Sequence, residues 1–246
     1  MKENATKTSA LAARILLQDN QTVELNEWIF SKIRINSDPR ILELCCGTGA
    51  QTEFLAKIMG NGSLDCVDIN SDTIRENYSL VRNKAVNYHV SSIDDVSNYA
   101  PKEVDLIFSA YGFYYSDNPI SLHEELQRRL SKNGKFVLVG PVLGNNAQLY
   151  EIMAQIGVEI DNDVLFSSEK FMLKMEEVFL SYYNNVKFNR ILNRINYSSA
   201  NDLLKYWQNT TFYDANKEEE FLSAVNDFYS DGIFVTKSIS YLEGCA

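Results

Sequence analysis

Residues 41–49, Ile41-Leu42-Glu43-Leu44-Cys45-Cys46-Gly47-Thr48-Gly49, join a short apolar run to two closely spaced glycines. The run has the length and composition of a strand buried on both faces. Ser37-Asp38-Pro39 before it supplies a turn, and the residues after Gly47 open a helical pattern reaching about Met59. Glycines where a first strand ends let the backbone turn tightly and approach a ligand, and the helix that follows aims unpaired N–H groups at the same place. This stretch therefore predicts a ligand crevice at the carboxyl end of a parallel sheet.

The pattern continues outward from there. Gly60-Asn61-Gly62 stops the helix, Ser63–Ile69 reads as a second strand, and a helix capped by Asn70 or Ser71 runs to Asn83 with Ile74, Tyr78 and Val81 on one face. Asn87–Val90 and Val104–Ser109 are the third and fourth strands. Pro119 begins a helix carrying Ile120, Leu122, Leu126 and Leu130, and Asn133-Gly134 leads into a fifth strand, Lys135–Val139. Helices over 145–157, 168–183, 199–208 and 217–229 surround a sixth strand, Val186–Tyr197, with a bulge expected at Ile191-Leu192, and a last strand spans Phe234–Ser240. The expected fold is α/β: a Rossmann-like, doubly wound, seven-stranded sheet, mostly parallel with an antiparallel last strand, plus an inserted helical lid. One domain is expected over 1–246, with N-terminal helices in 1–36, a cofactor-binding core in 37–140, and helical insertions with the last two strands in 141–246.

Composition narrows the function. The 246 residues carry 23 Lys and Arg against 33 Asp and Glu, a net charge of −10, opposite in sign to a surface that tracks phosphates. Nucleic acid is not an expected partner. The segment Met1–Ala10 is polar and no apolar run approaches a membrane span. Four cysteines without a C-x-x-C pair read as reduced thiols in a cytoplasm. Of the 27 Tyr and Phe residues, 21 follow residue 110, so the two halves of the chain are expected to do different work.

Asp68 ends the second strand 19 residues after Gly49, where a carboxylate can accept both ribose hydroxyls. A nicotinamide dinucleotide would want a third glycine where Thr52 stands, and its pyrophosphate would disfavour Glu43. A sulfonium cofactor without phosphate accepts an acidic neighbour.

With these residues in place, Glu43 to Gly49 resembles the first motif of class I S-adenosylmethionine-dependent methyltransferases, an acidic residue followed by x-Gly-x-Gly-x-Gly, and the likeness extends over about residues 38–140. Cys45 stands at the first glycine of that pattern. The resemblance implies S-adenosyl-L-methionine as cofactor, S-adenosyl-L-homocysteine as product, and cofactor contacts from Glu43, Cys45, Gly47, Gly49, Asp68, Ile69, Ser92, Ile93 and Ser109. Ile69 would pack on adenine. Ser92 stands where the family often has an Asp facing the adenine amino group, with Asp94 close enough to compete.

The acceptor side is expected from segments that overhang the strand ends. Tyr111, Phe113, Tyr114 and Tyr115 follow the fourth strand, Asn145 and Asn146 follow the fifth, and Tyr206, Trp207, Asn209 and Tyr213 precede the last. Aromatic rings interleaved with amides suit a compact polar acceptor, and Tyr111 and Tyr115 are the candidates for orienting it. Any of these rings could instead fill the core. Cys45 and Cys46 read as small residues at a tight turn, His89 and His123 as surface or core-edge residues, and Asp105 as structural. Ser109-Ala110-Tyr111-Gly112 lacks the Pro-Pro-aromatic stretch of adenine-N6 enzymes, and no Pro-Cys of the cytosine-C5 type occurs. No metal set of the catechol type is found, so no metal is expected.

The expected activity is methyl transfer to a nitrogen or oxygen of a small polar metabolite, mainly by proximity and orientation. Residues 140–146 look like those of bacterial biosynthetic methyltransferases. Two other classes stay open: an NAD-dependent oxidoreductase, and a catalytically silent S-adenosylmethionine-binding partner protein.

Overall fold

The computed structural model describes residues 7–81 and 85–246. Seven strands, β1 (Arg40–Leu44), β2 (Ser63–Asp68), β3 (Val86–Val90), β4 (Val104–Ala110), β5 (Leu130–Pro141), β6 (Asn185–Tyr197) and β7 (Ile233–Cys245), form one mixed sheet in the order β3-β2-β1-β4-β5-β7-β6. β1 pairs in parallel with both β2 and β4, so Leu44 lies between Val67 and Ser109. Parallel pairing extends outward to β3 and β5. β7 runs the other way: Ala246 N–H donates to Gly134 and Val142 N–H to Ser238, so partner numbers fall along β7 as they rise along β5. The doubly wound sheet with a reversed last strand is the architecture expected from the sequence. Its switch point lies at the carboxyl end of β1, between β2 and β4, where open α/β sheets bind ligands.

Local differences have identifiable causes. The helix after β1 spans Thr52–Ile58, because residues 47–51 form the turn itself. The next helix spans Ser71–Leu80, capped by Asn70, whose side chain accepts from the N–H groups of Asp72 and Thr73; the expected end at Asn83 lies outside the described residues. Its inward face is Ile74, Asn77 and Val81, while Tyr78 is 57% exposed and packs edge-on against Tyr88. The helix begun at Pro119 ends at Gln127. Leu130, which the helical spacing claims, instead starts β5 and pairs with Val104, with a register shift before Lys135 pairs with Leu106. Along β6 the inward positions Ile191, Asn193, Ile195 and Tyr197 alternate, with Leu192 71% exposed, while the half-buried Val186 lies on the opposite parity.

The chain clusters into two compact units, each assembled from separate segments. One comprises Leu25–Gly140, Met172–Arg190 and Ser240–Ala246, and holds β1 to β4 with their helices; the other comprises Met1–Glu24, Pro141–Phe171 and Ile191–Ile239. In the second, Leu149, Ile152, Trp207, Phe221 and Val235 are fully buried together. Its amphipathic helices Ala147–Gln155, Ala200–Gln208 and Glu218–Phe228 supply most of that core. Among the described residues no helix is long and apolar enough to cross a membrane.

Candidate cofactor site

The turn after β1 takes three left-handed residues in five positions, with φ of 56° at Cys45, 53° at Gly47 and 98° at Gly49. Gly49 is also needed for room, since a Cβ there would lie 2.6 Å from Asn77 Oδ1. Asp68, at the end of β2, ties this turn down: its Oδ2 accepts the Gly47 N–H at 3.0 Å and its Oδ1 the Asn70 N–H at 2.9 Å. Burial raises the Asp68 pKa, opposed by these backbone donors. Next to it Ile69 is 61% exposed, an apolar face standing in solvent beside a carboxylate. These residues fit a ribosyl-adenine: a carboxylate to accept hydroxyls, an apolar surface for the base, and a turn with glycine at positions 47 and 49.

Glu43 also has partners within the protein. It is 1% exposed, and its Oε2 accepts from Thr52 Oγ1 at 2.6 Å and from the Cys66 thiol at 3.5 Å. Asn77 Nδ2 in turn donates to Thr52 Oγ1 at 2.8 Å, and Tyr88 donates to Asn77 Oδ1 at 3.2 Å. Desolvation pushes the Glu43 carboxyl up to about 8, so near pH 7 it is mostly neutral. Besides the cofactor-facing role expected of it, Glu43 braces the glycine turn through Thr52. Glu43→Gln keeps the acceptor for Thr52 and adds no charge change near pH 7. We expect its affinity for S-adenosylhomocysteine to stay within about threefold of wild type by calorimetry; a loss of about a hundredfold would restore the charge role.

The other expected cofactor residues divide. Cys45 packs its side chain against Gly112, where an added Cβ would fall 2.1 Å from the Cys45 Cβ, and burial drives its thiol well above the ordinary range. That agrees with a packed residue rather than a nucleophile. Ser92 is half-buried, its Oγ accepting from Asp94 N–H. Asp94 itself accepts from Ser116 Oγ and from Asp117 N–H, which commits it to the loop after β4. Ile93 is 6% exposed, and Ser109 is 1% exposed with its hydroxyl donating to the Leu44 carbonyl at 3.1 Å. Both are placed to support the strand ends.

Of the expected acceptor residues, Tyr111, Phe113, Tyr114 and Tyr115 belong to the unit that carries β1 to β4, and Asn145, Asn146, Tyr206, Trp207, Asn209 and Tyr213 to the other. Tyr111 holds a left-handed φ of 56°, a strained conformation of the kind found at functional sites. Tyr115 is 44% exposed and its ring lies 4.8 Å from that of Tyr114. Phe113 is buried edge-on against Phe136, and Trp207 stacks on Phe221 at 4.5 Å while its N–H donates to the Phe212 carbonyl. Those two are packing residues, the outcome that burial of large rings makes ordinary. Tyr213 donates to Glu218, and Asn209 Nδ2 to the Lys205 carbonyl. His89 bonds Asp65 at 2.8 Å, as a core-edge residue would. His123, expected at the surface or the core edge, is instead fully buried. The sequence reading also passed over Lys237, which is 7% exposed and sits at an inward position of β7 between Val235 and Ile239. Among the described residues no cluster of His, Cys, Asp and Glu is arranged to hold a metal ion.

Residues 41–134 match the family model described as "Methyltransferase domain". That stretch is therefore similar to a methyltransferase domain. The chain is 31% identical over 142 residues to malonyl-[acyl-carrier protein] O-methyltransferase 1 of Ilyobacter polytropus, a match covering 56% of this chain and 49% of that one. It is 33% identical over 96 residues to malonyl-[acyl-carrier protein] O-methyltransferase 2 of the same organism, covering 38% and 36%. The matched stretches thus span about half or less of these relatives' length. The crystal structure of the YcgJ protein from Bacillus subtilis superposes with a TM-score of 0.64 at 13% identity, over 89% of this chain and 97% of that one, which establishes a shared fold. The matched stretch takes in β1 to β4 and includes the turn at Glu43–Gly49.

Proposed function

We propose that the protein transfers a methyl group from S-adenosylmethionine to a small acceptor, at a nitrogen or an oxygen of a polar metabolite. The carrying observation is the left-handed glycine turn at Gly47 and Gly49, held by Asp68 beside the exposed Ile69. When bound, the cofactor supplies an electrophilic methyl group on a good leaving group. Asp68 would accept the ribose hydroxyls and Ile69 cover the adenine. Thr52, Asn77 and Glu43 hold the turn in shape from below. Alignment of acceptor and methyl group can contribute roughly 7–11 kcal/mol without a dedicated base, and Tyr111 and Tyr115 are the proposed orienting residues. The resemblance to two malonyl-[acyl-carrier protein] O-methyltransferases favours oxygen, that of a carboxylate, over nitrogen.

Calorimetry tests the cofactor half. S-adenosylmethionine and S-adenosylhomocysteine should both bind, and Asp68→Ala should weaken binding by ~1–3 kcal/mol, the cost of stranding hydroxyls that had a charged acceptor. Binding of NADH with no response to either sulfur compound would overturn the reading in favour of an oxidoreductase. Turnover against a malonyl thioester and against small amines then separates an oxygen from a nitrogen acceptor, and separates both from a silent binding protein.

A further inference from the structure

β7 carries two buried charges with opposite fates. Glu243, 2% exposed, has Lys135 and Lys187 each at 3.2 Å and accepts from the Tyr241 hydroxyl at 2.7 Å. Lys237, 7% exposed on the same strand, has no carboxylate partner among the described residues. Its Nζ donates to Asn146 Oδ1 and to the Tyr206 hydroxyl, both at 2.6 Å, and lies 4.4 Å from the centre of the Tyr206 ring. Dipoles and a ring face offset part of the desolvation of an ammonium, yet burying a charge without a counter-ion is among the costlier arrangements in a fold.

The surroundings have a surplus of donors. An ammonium carries three N–H groups, and two are used here. Tyr206 accepts from Lys237, which leaves its own proton to be donated. Tyr197, 7% exposed with its ring 6.0 Å from that of Tyr206, has a buried hydroxyl with no partner. Asn146 adopts a left-handed φ of 58° ahead of the helix Ala147–Gln155 and makes no side-chain capping bond, its oxygen being taken by Lys237. The first turn of that helix contains no acidic residue, so its positive end is likewise uncompensated. All of these residues belong to the same compact unit.

We infer that Lys237, with Asn146 and the hydroxyls of Tyr206 and Tyr197, forms a site for a carboxylate ligand. One ammonium and neutral donors match the single charge of one carboxylate group, as each end of malonate presents, whereas a phosphate concentrates nearly two charges on one group. The carboxylate site does not rest on the methyl-transfer reading above.

The full chain is titrated calorimetrically with malonate, with its neutral dimethyl ester and with inorganic phosphate, and separately with S-adenosylhomocysteine. Malonate should bind saturably, the ester should not, and phosphate should bind more weakly. Lys237→Met, similar in shape without the charge, should weaken malonate binding at least about tenfold and leave S-adenosylhomocysteine binding unchanged, while Lys237→Arg retains most of the affinity. Should Lys237→Met fail to fold, Tyr206→Phe decides, with a severalfold loss expected. Equal malonate affinity in wild type and variant, tighter binding of phosphate, or equal binding of the ester overturns the site. Binding of S-adenosylhomocysteine without malonate sinks this inference alone; Lys237-dependent malonate binding without S-adenosylhomocysteine sinks the methyl-transfer reading and leaves the carboxylate site standing.

Discussion

Gly112→Ala should destabilise the protein by ~1–3 kcal/mol, and adding Cys45→Gly should restore most of the loss. The two residues share one space. Gly112 has a φ of −141°, on the side of the Ramachandran map open to side chains, so its requirement for glycine is steric: a Cβ would stand 2.1 Å from the Cys45 Cβ and 2.6 Å from its sulfur. Neither backbone can retreat easily. Cys45 is the residue that leaves β1 for the glycine turn, at a left-handed φ of 56°, and Gly112 begins the turn after β4. The class I pattern has glycine at position 45; this chain has cysteine there and glycine opposite. Cys45→Gly alone should change stability little, because relief of the left-handed strain, ~1–2 kcal/mol, is offset by lost thiol packing and by backbone entropy of ~0.5–1 kcal/mol. Urea unfolding of the two single variants and the double variant gives the coupling energy directly. Additive effects would show that the two sites do not share that space. A Gly112→Ala variant as stable as wild type would show that the turns move apart freely.

This pair marks where sequence reading stops. The succession of strands and helices was legible because hydrophobic runs, turn residues and helical spacings recur from Ser37 to Val139, and each is a local signal. Gly47, Gly49 and Asp68 could be singled out because their spacing along the chain reflects a fixed local geometry, strand to turn to strand. What went unread depends on distant partners. The contact of Cys45 with Gly112 spans two loops. Glu43 reads as a charge until Thr52, Asn77 and Cys66 are seen closing over it. Trp207 and Phe113 look like a pocket lining until Phe221 and Phe136 are found against them. Leu130 fits the helical spacing of Leu122 and Leu126, but pairing with Val104 draws it into the sheet. Lys237 did leave a trace, since the alternation Val235, Lys237, Ile239, Tyr241 puts an ammonium at an inward position. Period-two patterning alone would have flagged it.

Stability should respond to pH through two buried groups of opposite sign. His123 is fully buried among the rings of Phe136, Phe179, Tyr182 and Tyr183, its Nε2 at 3.1 Å from the Tyr183 hydroxyl and its Nδ1 without a partner. Desolvation lowers its pKa from 6.5 to about 4, with Glu124 opposing. Between those values the unfolded chain binds the proton first. Stability due to this group is therefore complete above pH 6.5 and declines as pH falls toward 4, by ~3 kcal/mol in all. Glu43 acts in reverse. Its carboxyl rises from 4.5 to about 8, so the folded state holds the proton longer, and stability declines as pH climbs through that interval. Where the two windows overlap, from 4.5 to 6.5, the slopes oppose each other; above 6.5 only the Glu43 slope remains, and from 4.5 down to about 4 only that of His123. Urea unfolding from pH 4 to 8 should then give, for Glu43→Gln minus wild type, a stability difference that grows steadily from pH 4.5 to about 8. His123→Phe, which fits an aromatic box and removes the unpaired nitrogen, should gain on wild type as pH drops below 6.5, even though Tyr183 loses a partner. Differences between variants are the useful readout, because exposed carboxylates add a common slope that cancels. A pH-independent difference for His123→Phe would mean that the imidazole titrates normally in its box, and a flat difference for Glu43→Gln would return that carboxylate to its charged form beneath the glycine turn.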